Sequence, residues 1–192
     1  DSTDSKGTAY GHMDALAAVD LGSGKTAKHV MAGCSHTCVE LNDGSLECWG
    51  EGAHGRLGYN STDDLGDEPG EMASLQPVFA DTMWSRVTSV VSGAHHSCAL
   101  FSNGRVKCWG DAASGQLGYD STSDRGDAAG EMVSLPDVNL GPSNLPYAAG
   151  QWIALQITAG DYHTCALLNT GFVKCWGSGG YGRLGMDSTT HR

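Results

Sequence analysis

The run His96-Ser97-Cys98-Ala99-Leu100-Phe101-Ser102-Asn103-Gly104-Arg105-Val106-Lys107-Cys108-Trp109-Gly110 reads as strand, tight turn, strand. It occurs three times. One copy runs from His36-Thr37-Cys38 through Asn42-Asp43-Gly44 to Cys48-Trp49-Gly50. Another runs from His163-Thr164-Cys165 through Asn169-Thr170-Gly171 to Cys175-Trp176-Gly177. Internal repetition at this scale outranks any local signal and points to a repeat architecture.

Around each hairpin the same parts recur. A polar loop comes first: Asp1-Ser2-Thr3, Asn60-Ser61-Thr62, Asp120-Ser121-Thr122 and Asp187-Ser188-Thr189. It continues through Gly66-Asp67-Glu68-Pro69-Gly70-Glu71-Met72, matched by Gly126 to Met132 and, more weakly, by Gly7 to Met13. Glycines held at two fixed places suggest positive φ or close approach. A short strand is expected next, at 18–21, 76–79 and 137–140, with Pro77 and Pro136 at its start, where an edge tolerates a missing N–H. A further strand ends at Gly33, Gly93 or Gly160; Val87-Thr88-Ser89-Val90-Val91 is its clearest copy. After the hairpin comes Gly-Arg/Gln-Leu-Gly, at 55–58, 115–118 and 182–185. Cys48 and Cys108 lie 60 positions apart, Cys108 and Cys175 lie 67 apart, and the excess falls at Gly141 to Tyr147. The expected units are 1–59, 60–119 and 120–186 of a single repeat domain 1–192, with 187–192 opening the next. The chain begins inside a motif, so a processed or partial chain is expected.

Composition narrows the function classes. There are 28 glycines in 192 residues, about twice the usual share of roughly 7%, which favours turns over long helices. The formal net charge is −11, so no basic face for nucleic acid is visible. No apolar run approaches the roughly 18 residues of a membrane-spanning helix.

The Gly-x-x-His-Thr-Cys-Ala-Leu type run, the Asn-Asp-Gly-Ser type turn, the Trp-Gly pair and the Gly-Gln-Leu-Gly run resemble the regulator of chromosome condensation repeat family, over essentially all of 1–192. The resemblance implies an all-β chain: a partial β-propeller of about three four-stranded antiparallel blades, where family rings usually close with about seven. Family members act as nucleotide exchange factors for a small GTPase, as a plant ultraviolet-B receptor and as protein-interaction modules. The receptor's Gly-Trp-Arg-His-Thr type motif is replaced here by Ala94-His95-His96-Ser97 and Asp161-Tyr162-His163-Thr164, without its tryptophan or arginine.

Six of seven cysteines form pairs ten positions apart: Cys38/Cys48, Cys98/Cys108 and Cys165/Cys175. Counting outward from each turn sets the two members of a pair opposite each other. A directly opposed, non-hydrogen-bonded pair brings Cα atoms to about 4.5 Å, within reach of a disulfide. Three intra-hairpin disulfides would place the protein in an extracellular, secretory or organelle-lumenal compartment. The alternative is reduced sulfurs serving as small core residues in a cytoplasmic protein. Cys34 is left unpaired. Cys34-Ser35-His36-Thr37-Cys38 lacks the second ligand pair of a zinc site.

His36, His96 and His163 share one repeat position, which argues for an imidazole linking neighbouring strands or blades rather than a catalytic base. His95 stands alone and reads as surface. Trp49, Trp109 and Trp176 read as blade core over the following glycine, and Trp84 and Trp152 as connector residues, at a partner face or buried. Asp120, Asp124, Asp127 and Glu131 are the candidate calcium ligands, set against a loop that caps its own backbone. Gly22-Ser23-Gly24-Lys25-Thr26 lacks the first glycine of a phosphate loop and reads as a turn. No nucleophile–base arrangement or other cofactor site is legible. The expected function is a non-enzymatic protein-interaction or structural module whose acidic loops favour a basic partner by steering. Other readings are an accessory subunit whose open blade edges are covered by other chains, and a guanine-nucleotide exchange factor.

Overall fold

The computed structural model describes residues 5–79, 86–141 and 152–186. Each hairpin forms where the sequence places it, and each pairs with one preceding strand. The first sheet has order β1-β2-β3, from β1 (Ala27–Ala32), β2 (His36–Leu41) and β3 (Leu46–Gly50). The second joins β4 (Val87–Ser92), β5 (His96–Phe101) and β6 (Val106–Gly110); the third joins β7 (Ala154–Gly160), β8 (His163–Leu168) and β9 (Val173–Gly177). All pairings are antiparallel.

The turns follow from their residues. The Gly44 amide donates to the Leu41 carbonyl at 2.9 Å, and Gly44 takes φ +86°, open to glycine at little cost. The Asp43 carboxylate accepts the Ser45 amide at 2.8 Å, fixing the tip. Gly104 and Gly171 repeat the conformation. The loop glycines Gly66, Gly70, Gly126 and Gly130 all have positive φ. Gly70 and Gly130 each precede a single helical turn, α1 (Glu71–Ser74) and α2 (Glu131–Ser134).

The fourth strand expected in each blade is reduced to a single contact. The Val78 amide donates to the Leu46 carbonyl at 2.8 Å, and the Val138 amide donates to the Val106 carbonyl at 2.8 Å. These segments lie along β3 and β6, so each edge piece closes the blade before it in sequence. Pro77 carries no N–H, so the ladder does not extend from there. Blades among the described residues are therefore three-stranded, and the outer edges of β3 and β6 are also met by Leu65 and Arg125, which exchange backbone bonds with Gly50 and Gly110. Residues 18–21 form no strand. The loop starts at Asp1 and Asp187, nearly all of the insertion after Gly141, and Trp84 lie outside the described residues.

The sheets stack face to face. Cys38, Leu46, Cys48 and Leu57 of the first blade meet Val90, Phe101 and Trp109 of the second in one core. Cys98, Val106, Cys108 and Leu117 of the second meet Ile157, Leu168 and Trp176 of the third in another. Strand alternation explains the pairing: every second residue points to the same neighbour, so the cysteines of one blade face the tryptophan of the next. No helix among the described residues is long and apolar enough to cross a membrane.

Candidate interaction surface and the joints between blades

The repeated polar residues meet between blades. His36 Nε2 lies 2.9 Å from Ser97 Oγ, and Ser97 Oγ donates to the Arg56 carbonyl at 3.1 Å. The Trp109 indole N–H donates to that same carbonyl at 2.9 Å. The next junction repeats the set: His96 Nε2 to Thr164 Oγ1 at 2.9 Å, Thr164 Oγ1 to the Gln116 carbonyl at 3.0 Å, and Trp176 Nε1 to Gln116 at 2.9 Å. The hydroxyl spends its proton on the carbonyl, so it accepts from the imidazole, which must carry its proton on Nε2. The histidines thus reach a side-chain hydroxyl of the next blade, and a backbone carbonyl only through it.

Burial keeps these rings neutral. Desolvation, and then the Arg56 charge, hold His36 down to about 4; desolvation, with nearby histidines, holds His96 to about 3. His163, only partly buried, is also lowered, by desolvation and then by Arg183. A proton-transfer role near neutral pH does not suit bases as weak as His36 and His96.

Gly33, Gly93 and Gly160 earn their place through space. A Cβ on Gly93 would stand 2.2 Å from His96 Cε1, and one on Gly33 or Gly160 would stand 2.3 Å from the corresponding ring atom of His36 or His163. The glycine and the histidine three residues later are one packing unit.

The structure joins Cys38–Cys48, Cys98–Cys108 and Cys165–Cys175, with Cα separations of 4.1, 4.0 and 4.1 Å. The amides of Cys48 and Cys108 point away from the hairpin, toward the Tyr59 and Tyr119 hydroxyls at 3.1 and 2.8 Å. Tyr119 Oη also donates to the Cys108 carbonyl at 3.0 Å. Burial raises both phenols well above the ordinary tyrosine range. These tyrosines were not singled out by sequence reasoning; the recurring Leu-Gly-Tyr after each of the first two hairpins is the signal. The third hairpin has Met186 there. Cys34 is a free, exposed thiol.

The acidic loop residues turn mostly inward. Asp124 accepts the Ala112 amide at 2.9 Å and meets His54 Nδ1 at 2.8 Å. Glu131 accepts the amides of Gly126 at 2.9 Å and Ala128 at 3.2 Å. These bonds, with one from Asp127, hold Glu131 below the usual range although burial opposes them. Burial, and then Glu131, push Asp127 up. Among the described residues, Asp120, Asp124, Asp127 and Glu131 do not converge. The trio whose ligand atoms lie within 4.8 Å of one another is His54, Asp111 and Asp124. Asp111 already accepts Ala113 N and Gln116 Nε2, each at 2.9 Å. Asp64 accepts the Gly52 amide at 2.8 Å, as Asp124 accepts Ala112, and the neighbouring Asp63, Asp67 and Glu68 are exposed.

The other aromatic and histidine candidates fall at edges. Trp152 is half-buried, with the Lys174 ammonium 5.0 Å from its ring centre. His95 is half-buried rather than fully exposed, its ring 6.1 Å from His54 and 6.2 Å from Tyr162.

Comparison with known proteins agrees with this architecture. The family description "Regulator of chromosome condensation (RCC1) repeat" matches residues 43–100 and 103–167, and a second description of the same repeat matches 87–116 and 155–183. The human E3 ubiquitin-protein ligase HERC2 is 32% identical over 147 residues, covering 77% of this chain and 3% of that protein. The ultraviolet-B receptor UVR8 of Arabidopsis thaliana is 30% identical over 191 residues, covering 95% of this chain and 38% of that protein. The chain therefore spans well under two thirds of these relatives. The crystal structure of Prp20p from Saccharomyces cerevisiae, described with its binding to Gsp1p and histones, superposes with a TM-score of 0.60 at 18% identity, over 86% of this chain and 36% of that one. With family matches over most of its length, and blades joined by its repeated histidines and tryptophans, this chain belongs to the Regulator of chromosome condensation (RCC1) repeat family.

Proposed function

We propose that the chain is a non-enzymatic protein-interaction module: a stack of blades that offers loop surface to a basic protein partner. One observation carries this reading. The residues that would otherwise suggest chemistry are spent on structure, the histidines and hydroxyls in the joints and the inward carboxylates on loop amides. Facing solvent on the loop are the acidic side chains Asp63, Asp67 and Glu68. The binding of Gsp1p and histones described for Prp20p, a protein of the same fold, supports a protein partner. The three hairpin disulfides support an oxidising compartment as the place of action.

The test is calorimetric titration with lysine-rich peptides at low and high salt. Binding that weakens with salt, and is lost in a variant carrying Asp63→Lys, Asp67→Lys and Glu68→Lys, supports the acidic surface. Binding unchanged by the charge reversal removes it. Calcium added to the same cell gives no heat if the loop carboxylates are committed to capping. A nucleotide-release assay on a small GTPase tests the exchange-factor reading.

A second reading is favoured by the ends of the stack: the chain is a subunit whose outer blade faces are covered by other chains. Thr37 and Trp49 on the first blade are less buried than Thr164 and Trp109 at the same positions inside the stack, and His163, Cys165 and Cys175 on the third are less buried than His96, Cys98 and Cys108.

A further inference from the structure

One cluster of metal-ligating side chains stands apart from the buried joints and bridges the first two blades. His54 lies in the short turn after β3, and Asp111 and Asp124 lie in the loop after β6. One ligand atom of each falls within 4.8 Å of the other two. His54 Nδ1 and Asp124 Oδ2 meet at 2.8 Å across 70 positions of sequence.

Both carboxylates are oriented from behind. Asp124 Oδ1 accepts the Ala112 amide at 2.9 Å. Asp111 Oδ1 accepts the Ala113 amide, and its Oδ2 accepts from Gln116 Nε2, each at 2.9 Å. An ionised carboxylate oxygen has a second lone pair, so these bonds fix the groups without using them up. Donors placed in this way behind a carboxylate are what holds a metal ligand in position. A further donor stands beside the trio. His95 Nδ1 is buried and has no hydrogen-bond partner among the described residues. The His95 ring centre is 6.1 Å from that of His54, and its carbonyl accepts the Asp111 amide at 2.9 Å.

The blade joint itself does not call for these residues. The second junction forms the same imidazole, hydroxyl and carbonyl chain with Ser114 and Ser178 at the repeat positions of His54 and Asp111. The cluster is an addition to one junction rather than a part of the repeat.

We propose that His54, Asp111 and Asp124 bind a divalent first-row transition cation, and that the ion clamps the first blade to the second. An imidazole with two carboxylates suits an ion of the zinc type. Calcium is disfavoured, because it takes six to eight oxygens. Bonds of about 2.0–2.2 Å need ligand atoms within about 4.4 Å of one another, so a set spread over 4.8 Å contracts by about 0.4 Å at most. The His54 side chain is 47% exposed and free to turn that far. This site goes beyond the partner-binding reading and does not rest on it.

Calorimetric titration of zinc chloride into the chelator-treated, disulfide-bonded chain tests it, with the exposed Cys34 thiol alkylated so that it takes no metal. A single ion per chain is expected. Binding should be at least about tenfold weaker in His54→Tyr and in Asp124→Asn, and unchanged in His12→Ala, outside the cluster. His54→Tyr introduces the residue type of Tyr181, which holds the same repeat position at φ 59° against 62° for His54. Asp124→Asn keeps an oxygen for the Ala112 amide. Hydrogen exchange of the wild type reads the clamp without any variant: zinc should slow the amides of 51–56 and 111–113 and spare those of β9. Excess calcium should not displace the zinc. Absence of zinc heat, equal affinity in the wild type and both variants, protection that leaves these two loops unchanged, or displacement by calcium each overturns the site.

Discussion

His96 Nε2 and Thr164 Oγ1 lie 2.9 Å apart, 68 positions distant in sequence and on different sheets. Both are fully buried, and the hydroxyl is passed on to the Gln116 carbonyl. Thr164→Ser keeps the hydroxyl, as Ser97 does at the neighbouring junction, and is expected to cost under about 1 kcal/mol. Thr164→Val keeps the shape but strands one buried donor, the His96 imidazole N–H, while the Gln116 carbonyl keeps the Trp176 indole, at about 1–3 kcal/mol. Urea unfolding of the two variants separates these outcomes. Equal losses for both would show that the hydroxyl contributes only bulk.

Stability is expected to fall on mild acidification. An unfolded histidine takes its proton near 6.5, whereas folded His36 and His96 do so only near 4 and 3. Between these values the unfolded chain binds more protons, so stability rises with pH across the window. The contribution is complete above about 6.5 and drains away as pH drops toward 4 and then 3. Melting temperatures from about pH 7.5 to about pH 4.5 read it, and His96→Gln should flatten the slope. A wild-type melting temperature independent of pH over that range contradicts the buried neutral rings.

Replacing Cys98 and Cys108 together by valine removes one hairpin bridge. The closed loop is short, so the expected loss is about 2–3 kcal/mol by chain entropy. Intact mass measures the covalent state directly: reduction should add about six hydrogens, and an alkylating reagent should label one thiol, Cys34, before reduction. Seven labelled thiols without reductant would place the protein in the reduced form.

Gly93→Ala and Gly130→Ala separate space from backbone conformation. At Gly93 the new carbon meets His96 Cε1 at 2.2 Å and the Gly160 carbonyl oxygen at 2.8 Å, so the blade junction must open, at about 1–3 kcal/mol or more. At Gly130 nothing lies within 4 Å, and only the φ of +83° resists, at about 1–2 kcal/mol. Denaturant midpoints should rank Gly93→Ala as the more damaging. Hydrogen exchange should localise its effect to the two junctions, and that of Gly130→Ala to the loop.

The hairpins, the cysteine register and the repeat were legible because each rests on local chemistry: a turn glycine, period-two alternation and a fixed spacing of ten. The histidines were legible as structural because they recur, but their target was not. Ser97 and Thr164 sit one residue after His96 and His163 in sequence, yet each serves the histidine of the blade before. That offset appears only once blades are stacked. The Arg56 and Gln116 carbonyls were invisible for another reason: every residue has a carbonyl, and only packing selects one. The fourth strand was overread from short apolar runs; among the described residues they reach the sheet through the Val78 and Val138 amides rather than a full ladder. The acidic loops looked like ligand sets by composition; the amide bonds of Asp124 and Glu131 could be seen only in the folded loop.

The direction of donation in each joint gives the stack an orientation. Imidazole gives to hydroxyl, hydroxyl gives to carbonyl, and the indole gives to the same oxygen, so every link runs from one side of the interface to a fixed receiver on the other. Turning a blade over would set donor against donor and acceptor against acceptor. The stack therefore has a built-in polarity, and a reversed blade would leave these buried groups without partners.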